Sequence, residues 1–121
     1  MSKGSGMSKQ ADARTTVLVV EDDGDLRSLM RRELKERGYR VLTAQDGEEA
    51  VELLECISCA GPQLILTDIQ MPGLGNLLEV ATEHPRLRDI PMVAVEPEYS
   101  GEHDSRIRVL EDYEELNNLL T

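Results

Sequence analysis

Two short runs constrain the fold more than anything else in the chain. Val17-Leu18-Val19-Val20 and Leu64-Ile65-Leu66 are apolar without a break. Each then stops at acid: Glu21-Asp22-Asp23 after the first, and Asp68, one residue past Thr67, after the second. A strand with one wet face alternates apolar and polar residues. A strand with no polar face is buried on both sides, as in a parallel sheet. After the first run the period changes from strand to helix. Leu26, Leu29, Met30 and Leu34 fall at helical spacing between Asp25 and Arg37, with Arg, Glu and Lys between them. Gly38 stands where a helix ends.

The unit then repeats. Residues 40–44 form a short strand. Asp46 caps a helix whose core face carries Ala50, Val51 and Leu54, with Glu48 and Glu49 in its first turn. Gly61-Pro62 breaks that helix, and Met71-Pro72-Gly73 makes a turn after the third strand. Leu77, Leu78 and Val80 mark a short third helix that Pro85 ends. A fourth strand is expected over 90–95, a fifth over 106–110 and a last helix over 113–120. Strand-helix alternation of this kind gives a five-stranded, doubly wound parallel sheet in a three-layer α/β/α arrangement. The interval after Glu96 is short, acidic and broken by Pro97 and Gly101, so a fourth helix there is short or missing and residues 97–105 are expected to be mobile.

At 121 residues the chain makes one domain. With three Tyr, no Phe and no Trp, the core must be built from Leu, Val, Ile, Met and Ala. A net charge of −11 argues against nucleic acid or an anionic membrane as direct partner. Positive charge gathers on the first helix at Arg27, Arg31, Arg32, Lys35 and Arg37, although each of these alone reads as part of a solvated face. No long apolar run or signal-peptide pattern is present, so the expected location is cytoplasmic. Met1 to Gly6 reads as an appended leader, with Met7 a natural start; residues 1–14 are set aside as leader and disordered N-terminus, and 15–121 as the domain. Cys56 and Cys59 have C-x-x-C spacing, but no second pair and no nearby histidine accompanies them, and ordinary reduced thiols are expected.

In doubly wound sheets, ligands sit at the carboxyl ends of the strands, where strand order reverses. That rule draws Glu21-Asp22-Asp23 and Asp68 to one edge. Gathered carboxylates oppose one another's ionisation unless a cation neutralises them, and hard oxygen ligands suit Mg²⁺, Mn²⁺ or Ca²⁺. A carboxylate beside such an ion can attack a phosphoryl group. Taken singly, the tripeptide could equally cap the first helix, and Asp68 could be a turn residue.

These segments resemble a known family. Residues 17–23 with Leu26-Arg27 resemble the opening of response-regulator receiver domains, and Leu64 to Gly73 resembles their phosphoacceptor segment. Arg86 to Pro91 is similar to the lead into their fourth strand. The resemblance spans about Thr16 to Leu120, most strongly as far as Val95. It implies a flavodoxin-like fold and a two-component signalling role. Asp68 would accept a phosphoryl group from a histidine kinase or phosphotransfer protein, docking near the first helix. Asp22 would bind Mg²⁺ (or Mn²⁺), with Glu21 assisting through water and the Gln70 carbonyl as a further ligand. The Gln70 side chain would neighbour the phosphoryl group. Beyond self-phosphorylation and self-dephosphorylation, no enzymatic activity is implied.

The departures fall on the switch. The family ends its fourth strand with Thr or Ser; Glu96 stands here, followed by Pro97, with Ser100 the nearest hydroxyl. The family's lysine after the fifth strand is replaced by Val109 or Glu111, and its switching aromatic by Arg106 or Arg108. No lysine follows Lys35. Three readings follow: a phosphate-accepting receiver with an atypical readout, a degenerate receiver acting as a phosphate-independent interaction module, and, most remotely, a small metal-dependent phosphohydrolase. The end at Thr121, with no output domain after it, fits a stand-alone receiver or a domain cut from a longer protein, and leaves the oligomeric state open.

Overall fold

The computed structural model describes residues 15–56, 61–85 and 87–120. The leader expected at 1–14 and Cys59 of the C-x-x-C pair lie outside them. In chain order the elements are β1 (Thr16–Val20), α1 (Gly24–Glu36), β2 (Arg40–Ala44), α2 (Gly47–Cys56), β3 (Leu64–Thr67), α3 (Leu74–Glu83), β4 (Met92–Val95), β5 (Ile107–Leu110) and α4 (Tyr113–Leu120). The five strands form one parallel sheet of order β2-β1-β3-β4-β5. The order reverses between β1 and β3, which makes their carboxyl ends the switch point.

Alternation along the buried strands feeds two cores. Val17, Val19, Leu64, Leu66 and Val93 turn to one face and pack with Met30 and Leu34 of α1 and Leu116 of α4. Leu18, Val20, Ile65, Ala94 and Ile107 turn to the other and pack with Ala50 and Leu54 of α2 and Leu77, Leu78 and Ala81 of α3. This is the expected three-layer arrangement. The last helix is tied to the end of the first by the Arg37 guanidinium, 5.4 Å from the Tyr113 ring centroid, and by a hydrogen bond from the Tyr39 hydroxyl to Asn117.

Local signals act as anticipated in most places. Asp46 Oδ1 accepts from the Glu49 N–H at 2.8 Å while Glu49 Oε1 accepts from the Gln45 N–H at 2.6 Å, a reciprocal cap on α2. Gly38 has φ 95°, and the Gly38 and Tyr39 N–H groups close onto the Lys35 and Leu34 carbonyls at 3.0 and 3.2 Å, which stops α1. Gly47 is needed for close approach: a Cβ there would stand 3.2 Å from the Leu77 Cα on α3.

Four expectations need adjustment. Helix α1 begins at Gly24, one residue early, because Asp23 supplies its cap. Leu29, assigned to the core face, is 47% exposed, so the buried stripe of α1 is Leu26, Met30 and Leu34. Strand β4 starts at Met92 rather than Ile90: Ile90 closes a turn onto the Leu87 carbonyl, and the Pro91 carbonyl takes the Ile65 N–H. Strand β5 starts at Ile107 rather than Arg106, whose guanidinium instead folds onto α3.

No helix lies between β4 and β5. The connection is held by side chains: the Tyr99 hydroxyl donates to the Glu102 carbonyl at 2.7 Å, and Arg106 pairs with Asp104 at 2.9 Å while reaching the Leu78 carbonyl and the Thr82 hydroxyl of α3. Arg106 thus spans the opening that a helix would cover. Among the described residues, the N–H groups of Ser100 to Ser105 make no hydrogen bond.

Two outcomes follow. Leu18 is fully buried, so Leu18→Ala should lower stability by about 2–5 kcal/mol, read as a lower urea midpoint at unchanged m-value. Amides 100–105 should exchange with solvent far faster than those of β4 and β5; strong protection in that segment would show an ordered connection instead.

Candidate functional site

Register decides what meets at the switch point. Val20 pairs with Thr67 across β1 and β3, so the next residues, Glu21 and Asp68, emerge side by side. The Glu21 N–H extends the β1–β2 ladder to the Ala44 carbonyl at 3.0 Å, and its carbonyl accepts from Arg27 at 2.7 Å. Its backbone is therefore fixed before its side chain is considered. The side chain is 1% exposed. Oε2 accepts from the Asp23 N–H at 3.0 Å, and Oε1 has no donor at all.

The acidic tripeptide divides its labour. Asp23 is the α1 cap, with Oδ1 accepting from the Asp25 and Leu26 N–H groups at 2.9 and 3.1 Å. Asp22 is exposed. Capping and carboxylate clustering both occur, on different residues. Burial pushes the Glu21 carboxyl up to about 7; the Asp23 N–H opposes this, and the nearby Asp22 and Asp68 carboxylates add to the rise.

Asp68 is half-buried past the end of β3, and its Oδ1 accepts from the Gln70 N–H at 3.0 Å. That bond holds the Gln70 backbone over Asp68, and the Gln70 carbonyl accepts no hydrogen bond among the described residues. The Gln70 side chain is exposed. Glu96 extends the β4–β5 ladder through its N–H to the Leu110 carbonyl at 2.9 Å. It lines the same small cavity as Asp68, and burial first, then the neighbouring Asp68 carboxyl, raise its pKa.

The loop then carries Ser100 to an exposed position where it bonds to none of these groups. Val109 sits mid-strand opposite Ala94, so Glu111, beyond the end of β5, is the residue at the edge. Glu111 accepts from the Glu98 N–H at 3.1 Å, at a residue held at φ 59°. Neither arginine substitutes for a lysine here. Arg106 is committed to Asp104, whose carboxyl it holds at about 2, and Arg108 is exposed on β5.

Two contributors were not legible beforehand. Thr67 is 1% exposed and its hydroxyl has no partner. With Tyr113 it lines a cavity of about 80 Å³ that also includes Asp68, Val95 and Glu96. Thr67 precedes the obvious acid and reads as an ordinary strand residue; only the unpaired hydroxyl marks it. His84 and His103, the general acids or bases a phosphohydrolase would need, are elsewhere: His84 lies 3.6 Å from Glu55, and His103 packs edge-on to Tyr99.

The donor set fits a hard cation. It is all oxygen, and it includes a buried carboxylate oxygen without a partner. Among the described residues, no group of three or more His, Cys, Asp or Glu side chains is placed so that it could hold a metal ion by itself. That is compatible with Mg²⁺, which takes one or two carboxylates and keeps several waters.

The frame is thus a doubly wound α/β domain with carboxyl groups gathered at its switch point. The family model described as the response regulator receiver domain matches residues 17–100, and the chain belongs to that family. An uncharacterized 14.6 kDa protein of Leptolyngbya boryana is 34% identical over 97 residues, covering 78% of this chain and 71% of that protein. The N-terminal domain of a response regulator receiver protein from Methanoculleus marisnigri is 31% identical, with a TM-score of 0.61 over 88% of this chain and 96% of that one. The response regulator TrrA of Thermotoga maritima, solved in complex with Mg²⁺-BeF, is 30% identical, with a TM-score of 0.61 over 87% and 95%. Other curated relatives, transcriptional regulators among them, are longer, and the matched segments span 16% to 25% of their length. Receiver domains are signalling modules that work with histidine kinases or phosphotransfer proteins. Among the described residues, no helix is long and apolar enough to cross a membrane.

The raised Glu21 pKa has a direction that can be measured. The folded state holds a proton that the unfolded state releases between pH 4.5 and about 7. Stability from this group is therefore full below pH 4.5 and is lost as pH rises through about 7. In metal-free buffer the loss should be roughly 3 kcal/mol. Glu21→Gln should remove that part of the slope, as read by urea unfolding across the range.

Proposed function

We propose that this chain is a phosphoryl-accepting receiver whose acceptor is Asp68 and whose readout differs from the family's usual one. The β1–β3 register carries the reading, because it sets the buried, unpartnered Glu21 oxygen beside Asp68. Asp22, Asp68 and the Gln70 carbonyl would hold Mg²⁺ or Mn²⁺, with Glu21 assisting. The bound ion would supply positive charge to the phosphoryl oxygens. In the transfer, an Asp68 carboxylate oxygen forms a bond to phosphorus as the bond from phosphorus to the donor's imidazole nitrogen breaks. The imidazole leaves with a proton taken from water. Asp68 is the right group for this: it stands at the mouth of the cavity with one oxygen fixed by the Gln70 N–H.

The donor's docking surface is α1. Leu29 is 47% exposed there among the exposed Arg31, Arg32 and Lys35, on a chain of net charge −11. An apolar contact ringed by positive charge suits an acidic or phosphorylated helical partner.

One observation favours the second reading, a degenerate receiver. Glu96 lines the same small cavity as Asp68, and the ends of β4 and β5 offer neither the hydroxyl nor the lysine that would bind a phosphoryl group there. Phosphorylation adds about −1.5 to −2 charge, and Glu96 repels it.

The test is intact mass after incubation with a small-molecule phosphodonor and Mg²⁺, and then with a cognate kinase. We expect a phosphoryl-sized gain on the wild type, none on Asp68→Asn, and a larger phosphorylated fraction on Glu96→Thr. No gain from either donor, for wild type and Glu96→Thr alike, would establish the degenerate reading instead.

A further inference from the structure

Helices α2 and α3 carry charge of one sign. Glutamates stand along both, and neither holds a lysine or an arginine. The basic helix, α1, packs on the other face of the sheet. Helices α2 and α3 meet closely at Gly47, where a Cβ would stand 3.2 Å from the Leu77 Cα. They also border an open groove of about 460 Å³, the size of a binding pocket. Val51, Val80 and Pro85 give the groove its apolar lining, and Glu48, Glu52 and Glu83 its acidic one. Helical spacing explains the mixture. Glu48, Val51 and Glu52 share one face of α2, and Val80 and Glu83 share one face of α3. Val51 and Val80 are half-buried against the core, while the three glutamates are exposed. Among the described residues, none of those three carboxylates pairs with a cation. Capping accounts for Glu48, in the first turn of α2. It does not account for Glu83, which ends α3, where a negative charge opposes the helix dipole. Glu48 and Glu52, one turn apart, repel each other as well. The fold gains nothing from this arrangement, but a cationic partner would.

We propose that the α2–α3 groove docks a basic amphipathic helix of another protein. An apolar side chain of that helix would rest on Val51 and Val80, and its Lys or Arg residues would face Glu48, Glu52 and Glu83. Laying an apolar stripe into a groove is a common way for a helix to be recognised. The acidic rim steers the encounter and selects the sign of the partner, and the apolar floor lengthens its stay. The groove shares no residue with the cavity at Asp68, and α1 is on the other side of the sheet. A donor docked on α1 therefore leaves this groove open.

The probe is a synthetic helical peptide with leucines flanked by lysines along one face, added to the whole chain in about 0.15 M salt and followed by backbone amide shifts. We expect the shifts to centre on residues 48–52 and 80–85. Replacing the peptide's leucines with serine should abolish them. The triple variant Glu48→Gln, Glu52→Gln, Glu83→Gln should bind the peptide about tenfold more weakly, a modest loss for each exposed pair. A control triple, Glu33→Gln, Glu102→Gln, Glu114→Gln, removes as much charge away from the groove and should bind as the wild type does. Urea unfolding establishes that both triples are folded. No binding by the wild type overturns the proposal. So do shifts centred elsewhere, equal binding of the serine peptide, or equal weakening in the control triple, each of which would reduce the effect to net charge. Sedimentation of the chain alone completes the test: a monomer is expected, and self-association lost in the groove triple would make a second copy the occupant and overturn the assignment to another protein.

Discussion

Everything at the switch point depends on one pairing, Val20 against Thr67. Both strands are apolar on both faces, so a slip of one residue would turn each side chain toward the wrong core. The register is therefore held by the whole of both cores rather than by the acids. Once it is held, Glu21 and Asp68 must emerge together, however strongly they repel. The fold supplies the free energy that keeps like charges adjacent. Burial first, and then the neighbouring Asp22 and Asp68 carboxyls, raise the Glu21 pKa.

The same logic reaches β4. Its N–H and C=O groups are committed to β3 and β5, and Glu96 is carried to the edge by the β5 ladder. Most receivers place a hydroxyl at the end of this strand and a lysine after the next, two groups that bind an incoming phosphoryl charge. Here the two positions carry Glu96 and Glu111, and Glu111 faces the Glu98 N–H rather than the cavity. The connection that would normally carry a helix is reduced to a loop, with Arg106 laid across α3. The changes agree with one another: a site with fewer phosphate binders also lacks the helix whose position such binders would report.

The fold was legible because it is written in local periods. The unbroken apolar runs give buried strands, the change to helical spacing gives α1, and Asp46 with Glu49 marks the start of α2. What stayed hidden depends on partners far away in sequence. Leu29 fits the helical period as well as Met30 does, and only the packing of α1 against the sheet tells them apart. The slot of the missing lysine was open between Val109 and Glu111 because one gap in a loop cannot be placed without the β4–β5 register. Glu21-Asp22-Asp23 reads as cap or as cluster, and the geometry makes it both. Thr67 gives no signal in sequence, since an unpaired hydroxyl is a property of its surroundings.

These pieces bear on how such a domain could signal. A ligand moves a two-state equilibrium only by its difference in affinity for the two states, and going from 1:99 to 99:1 needs about 10⁴-fold. With a hydroxyl and a lysine that engage phosphate in one conformation, a phosphoryl group can supply much of that difference. Without them, and with Glu96 opposing entry, the phosphoryl group's leverage is small. A divalent ion at this edge would have the larger leverage, because the Glu21 and Glu96 carboxyls near Asp68 both attract a cation.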